Sequence, residues 1–170
     1  DQMGKFVASK VIRLMKEKGI KIQGSKALIL GVTFKENCND IRNSKVPDIY
    51  RELKESGLAV DLYDPIADGE QVTKTHQITL TKTPSKYQAI ILAVSHDLFI
   101  ENGVKDYKNP NGAVIYDIKS VLNRADVDGR LWFILKHINY FEIKFVFKLP
   151  IKYFWYLIKI NMLGNLIIQI

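Results

Sequence analysis

Apolar residues at Phe6, Val7, Val11, Ile12, Leu14 and Met15 recur at the three-to-four spacing that gathers them on one helix face, which predicts a helix over residues 3–18. Gly19 follows and supplies the stop. The pattern then changes period. Ala27-Leu28-Ile29-Leu30 is a short unbroken apolar run closed by Gly31, as expected of a strand covered on both faces in a parallel sheet. Residues 46–56 return to helical spacing, with Pro47 near the first turn, Ile49, Tyr50 and Leu53 on one side, and Gly57 after the end. Ala59-Val60-Asp61-Leu62-Tyr63 reads as the next strand, and Asp64-Pro65 closes it because the residue before proline is pushed out of helical geometry. Two further runs, Ala89 to Val94 and Ala113 to Asp117, each follow a polar stretch rich in Pro, Asn or Gly and predict more central strands. Parallel crossovers are right-handed in nearly all proteins. The expected product is therefore an α/β fold, a doubly wound Rossmann-like parallel sheet preceded by a long helix, with ligands at the carboxyl ends of the strands.

Composition narrows the class. The chain has 170 residues, 47% hydrophobic and 25% charged, which excludes collagen-like, disordered and disulfide-scaffold proteins. Cys38 is the single cysteine and cannot form an intrachain disulfide. The start, Asp1-Gln2-Met3-Gly4, lacks the pattern of a signal peptide and reads as a cut into a helix. The net charge of +7 invites a nucleic-acid reading, but residues from Leu131 onward hold five Lys and one Glu and so carry +4 of it. In the remainder basic residues alternate with acidic ones, as in Arg51-Glu52-Leu53-Lys54-Glu55, the habit of solvated helix faces and not of a phosphate-tracking stripe. Nucleic acid is not an expected partner.

The chain after Arg130 is dominated by Ile, Phe, Lys, Tyr, Leu and Asn, and contains no Ala, Ser, Thr, Asp or Arg. A membrane span needs about 20 mostly apolar residues, whereas Lys136, Glu142, Lys144, Lys148, Lys152 and Lys159 interrupt this stretch and Pro150 sits within it. An interfacial segment, a partner-binding extension and translation in a non-native frame all account for it, and the last is favoured over membrane contact. Three parts are thus expected: the end of a linking helix at 1–22, a ligand-binding domain at 23–130 and an atypical tail at 131–170.

The stretch Gly31-Val32-Thr33-Phe34-Lys35-Glu36-Asn37-Cys38-Asn39-Asp40-Ile41-Arg42-Asn43-Ser44 lies between the first strand and the next helix, where the switch-point crevice is expected. It is neither GxGxxG nor a Walker loop, so glycine placement points to no phosphate cradle. Lys35 and Arg42 could still meet diphosphate oxygens, Arg through its planar fork and Lys as a point charge. The competing reading makes Asp40 and Arg42 ordinary loop residues joined by a local salt bridge. His96 follows a buried strand, and reads as a hydrogen-bonded loop anchor before a catalyst. Asp61 and Asp64 sit at the second strand's end, where turn chemistry is preferred to acid/base work. His76 and His137 stand at no recognisable ligand spacing, and no metal site is expected.

Phe34 to Asn43 resembles the signature opening the C-terminal, UDP-sugar-binding domain of the UDP-glucose/GDP-mannose dehydrogenase family, and its Phe-Lys-Glu-Asn-Cys form is most similar to the UDP-N-acetylhexosamine 6-dehydrogenase branch. Met3 to Ala8, Tyr63-Asp64-Pro65, Ala93 to Phe99 and Tyr116-Asp117-Ile118-Lys119 resemble further landmarks in the same order, so the likeness runs to about Arg130. It implies an enzyme that oxidises a sugar C6 alcohol to a carboxylate in two NAD-dependent steps through a cysteine thiohemiacetal and thioester. It further implies that Phe34, Lys35 and Lys119 meet the UDP-sugar and that Arg42 reaches NAD across a domain interface. Ser120 departs from the Arg that the UDP-glucose enzymes carry there. The implied dinucleotide domain and nucleophilic cysteine would lie upstream of Asp1, Cys38 being expected only to pack. A fragment inactive by itself, cytoplasmic and homodimeric in the full-length protein, for surface polysaccharide synthesis, is the resulting expectation. The alternative from another class is a stand-alone α/β binding module tethered to a membrane surface or partner by its basic aromatic tail.

Overall fold

The computed structural model describes residues 2–131, so the readings of the tail over 132–170 lie outside the described residues. The chain opens with α1 (Gln2–Glu17), runs through β1 (Lys26–Leu30), α2 (Val46–Glu55) and β2 (Ala59–Tyr63), and continues with α3 (Gly69–His76), β3 (Ala89–Leu92), α4 (Asp97–Asn102), β4 (Val114–Asp117) and β5 (Gly129–Arg130). Among the described residues all strand pairs are parallel, in the order β2-β1-β3-β4-β5.

The unbroken apolar runs have a simple cause. Successive strand side chains point to opposite faces, and both faces of this sheet are covered. Ala27, Ile29, Ala89, Ile91, Val114 and Tyr116 pack on one side with Val7, Val11 and Met15 of α1, Ile49 and Leu53 of α2, and Val72 of α3. Leu28, Leu30, Ile90, Leu92 and Ile115 pack on the other with Phe99 of α4, Val104 and Val127. Each Val, Leu, Ile, Met or Phe side chain among them taken fully from water contributes about 1.5–3 kcal/mol, so the two-sided core dominates stability. Helices α1 and α2 approach closely at Gly4, where an added Cβ would stand 3.0 Å from the Asp48 backbone.

The predicted third strand ends early. Ala93 and Val94 both direct their amides to the Leu30 carbonyl, at 3.0 and 3.1 Å, and leave the ladder after Leu92. There Gly31, with φ of +88°, passes so near Val94 that a Cβ would lie 2.4 Å from its Cβ. Two helices escape the periodicity because each buries a single residue, Val72 in α3 and Phe99 in α4. Asp68 nevertheless caps α3 by accepting from the Glu70 and Gln71 amides, a start signal present in the sequence.

From β1 the chain steps outward to β2 and then crosses to β3 on the other side of β1. The reversal of winding opens the crevice between the carboxyl ends of β1 and β3.

Candidate functional site

Residues 31–44 leave β1 at this crevice and fold back on themselves. The Phe34 amide donates to the Asp40 carbonyl at 2.7 Å and closes the loop. Asn37 and Asn43 take left-handed backbone angles, φ of 54° and 60°, which asparagine accepts more readily than most residues. On this loop Phe34, Lys35 and Arg42 face solvent, Phe34 at 54% exposure, and Cys38 is half-buried.

Beneath it lies a polar network that draws on three strand ends. Asp64, just after β2, is buried, and two donors converge on each of its oxygens. Oδ2 accepts from the Val32 amide at 2.7 Å and lies 3.1 Å from His96 Nε2, while Oδ1 accepts from the Ile66 and Ala67 amides at 2.9 and 3.0 Å. Burial pushes the Asp64 carboxyl up, but the bonds from His96, Val32, Ile66 and Ala67 together outweigh it and leave the group below its ordinary value.

His96, just before α4, has no exposed surface, and the Phe99 ring sits 5.5 Å from it, centroid to centroid. Its Nδ1 accepts from the Asn37 amide at 2.9 Å, so the ring proton is on Nε2, directed at Asp64 with Thr33 Oγ1 3.3 Å away. Thr33 in turn donates to the Lys35 carbonyl at 2.9 Å, and Asn37 Oδ1 accepts from the Asp97 amide at 3.1 Å. His96 is enclosed, and its hydrogen bonds tie the Asn37 amide to Asp64, the arrangement of a loop anchor.

Asp64 is likewise a turn former, and the Asp61 carboxylate accepts from the buried Tyr87 hydroxyl at 2.8 Å. Burial first, then the bond to Asp61, pushes the Tyr87 phenol up. His76 is partly buried at the end of α3, and no group of three potential metal ligands occurs among the described residues.

The predicted cations differ in their surroundings. Arg42 grips Asp40 with both ends of its fork, Nε to Oδ1 at 2.9 Å and Nη2 to Oδ2 at 2.8 Å. That bond, with the Arg42 amide on the same carboxylate and the fields of Arg42 and Lys35, holds the Asp40 carboxyl down to about 2. The local salt bridge therefore exists, and three of the five Arg42 donors remain for a ligand. Lys119 is exposed after β4, on a turn shaped by the buried Asp117, whose carboxylate accepts from the Lys119, Ser120 and Leu122 amides at 2.9, 2.8 and 2.8 Å. Ser120 is left-handed at φ of 58°. With only β3 between β1 and β4, the bases of the Lys35 and Lys119 loops stand about 10 Å apart. Phe34, Leu98 and Val121, exposed apolar residues after β1, β3 and β4, lie along the same carboxyl edge.

An open cavity of about 300 Å³ occurs at the opposite, amino end of the sheet, lined by Lys18, Gly19, Ile20, Gln88, Asn109 and Gly112 among others. It contains none of the predicted residues.

Residues 28–124 match the sequence profile of the UDP-glucose/GDP-mannose dehydrogenase family, UDP binding domain. The chain belongs to the UDP-glucose/GDP-mannose dehydrogenase family. The matched segment holds the whole loop, the Asp64 and His96 network and the Asp117 turn. Among its relatives, the UDP-N-acetyl-D-glucosamine 6-dehydrogenase of Salmonella typhi is 42% identical over 135 residues, covering 77% of this chain and 32% of that protein. Protein CapL of Staphylococcus aureus is 40% identical over 138 residues, covering 78% and 32%. This family member thus spans about a third of the length of those curated relatives. The fold recurs in the solved structure of a UDP-glucose dehydrogenase from Pyrobaculum islandicum, with a TM-score of 0.57 at 22% identity over 77% of this chain and 29% of that one. It recurs in the UDP-D-ManNAc dehydrogenase of Pyrococcus horikoshii, with a TM-score of 0.57 at 21% identity over 74% and 30%.

Proposed function

We propose that this chain supplies the UDP-sugar-binding portion of an NAD-dependent nucleotide-sugar 6-dehydrogenase that acts on a UDP-N-acetylhexosamine. The observation that carries the reading is the exposed Phe34 and Lys35 pair, seated at the switch point of a segment matching a UDP binding domain. Lys35 serves as a point charge for the diphosphate, and the Phe34 ring offers an apolar face to the base or sugar. Lys119, about two strand spacings away, suits the other end of an extended nucleotide-sugar. Exposed side chains of this kind become part of a dehydrated cleft only when more polypeptide closes on them, and relatives about two and a half times as long support that arrangement.

NAD, when bound, accepts the hydride from the sugar C6 carbon. The residues here fit an outlying contact with it: Arg42 is exposed and keeps three donors, while residues 1–170 contain no GxGxxG turn. The main dinucleotide cradle and the nucleophilic cysteine are accordingly assigned to polypeptide outside residues 1–170, and the chain by itself is assigned binding without turnover. Domain boundaries at 22 and 130, cytoplasmic location, homodimerisation and a role in surface polysaccharide synthesis belong to the same proposal. Among the described residues no helix is long and apolar enough to cross a membrane.

Titration with UDP tests the reading. The Lys35→Ala, Arg42→Ala double variant is expected to bind at least tenfold more weakly than the unaltered chain, the loss belonging to charge-assisted bonds. Equal affinities, or steady NAD reduction by the chain alone, would count against it.

A further inference from the structure

The network under the loop does more than fill space. His96 touches the loop on both sides of Phe34, Lys35 and Glu36: at Thr33 through Nε2, and at Asn37 through Nδ1. Thr33 also fixes the Lys35 carbonyl, and Asn37 adopts a left-handed angle while bridging to the amide of Asp97. The lysine-bearing segment is thus flanked by one contact and one hydrogen bond to a single ring, and Asp64 sets the proton on that ring by accepting from Nε2. Asp64 is itself fixed by backbone amides that follow two neighbouring strands, Val32 after β1 and Ile66 and Ala67 after β2.

We infer that His96 is a positioning residue which, with its proton directed to Asp64, holds the Asn37 amide on Nδ1 and thereby sets the conformation in which Phe34 and Lys35 are presented to a uridine diphosphate. The role in presentation rests on the proposed function; the hold on the loop does not. The ring's two jobs are separable by substitution. In His96→Asn the amide oxygen replaces Nδ1 and keeps the acceptor for Asn37, whereas in His96→Gln the amide nitrogen replaces Nε2 and keeps the donor to Asp64.

Three readings on the full chain decide it. In the unaltered protein, a ¹⁵N coupling across the hydrogen bond from the Asn37 amide to His96 Nδ1, with an unprotonated Nδ1 shift, is expected; a protonated Nδ1 would overturn the inference without any variant. Amide exchange at Asn37 is expected to stay slow in His96→Asn and to quicken at least tenfold in His96→Gln. UDP affinity is expected to remain within about twofold in His96→Asn and to fall about tenfold in His96→Gln. Variants that lose Asn37 protection and affinity equally, or in proportion to their melting temperatures, would reduce His96 to a structural residue and overturn the inference. If the unaltered chain shows no UDP binding, the proposed function fails, while the Asn37 signals still decide whether the ring holds the loop.

Discussion

Replacing Asp64 by Asn tests the reading of the buried network at its centre. The carboxylate offers two oxygens to four donors, the Val32 amide and His96 Nε2 on one and the Ile66 and Ala67 amides on the other. An asparagine amide has one acceptor oxygen. Whichever way it turns, two of the four donors face an NH₂ group in a site without solvent, and each stranded donor costs about 1–3 kcal/mol. A tautomeric shift that made Nε2 an acceptor would put a proton on Nδ1 and move the conflict to the Asn37 amide. The expected loss is therefore about 2–6 kcal/mol, a large part of the 5–15 typical of a domain, and the urea midpoint should fall by roughly 1–3 M. The acid limb of stability should change as well. The Asp64 carboxyl is depressed in the folded state, so its contribution is complete above the unfolded value near 3.9 and disappears as pH falls through the folded value. Asp64→Asn should flatten that limb below about pH 4. Chemical unfolding from pH 2 to 7 measures both effects. A variant within about 0.5 kcal/mol of the unaltered protein, with the same acid limb, would show that the four donors do not depend on both Asp64 oxygens.

Other expectations follow from single sites. Gly31→Ala forces a β-carbon to within 2.4 Å of Val94 Cβ at a φ of +88°, and strain plus overpacking should cost about 2–5 kcal/mol in calorimetry. Arg42→Ala should raise the Asp40 carboxyl from about 2 toward 3.8 in an NMR titration, with global stability nearly unchanged because the pair is exposed. Tyr116 is buried in β4, which pushes its phenol up to about 12. Its ultraviolet titration should accordingly stay silent at pH 10, where an exposed tyrosine is half ionised.

The parts of the fold legible in the sequence were those with strong local patterning. The β1 and β2 runs, the α2 segment between Pro47 and Gly57, and the one-sided α1 pattern each follow from burial geometry that a window of residues records. Helix α4 and strand β5 were not legible, because six and two residues are shorter than any period that would reveal them. The site divides in the same way. Exposed Lys35 and the Arg42 pairing with Asp40 are local and were foreseeable, whereas Asn37, Asp64 and His96 meet only because the strand order places β2, β1 and β3 side by side. Asp64-Pro65 announced a turn, and half of its role was visible in that. The other half, orienting a histidine 32 residues away, belongs to tertiary structure.

The proposed function puts uridine diphosphate at the carboxyl edge of the sheet, and mapping amide shifts of the isotopically labelled chain during titration with UDP tests this. Shifts confined to residues 33–43, 95–99 and 117–122, and lost with Lys35→Ala, are the predicted result. Shifts gathered instead around Lys18, Gly19, Asn109 and Gly112, at the amino-end cavity, would contradict it.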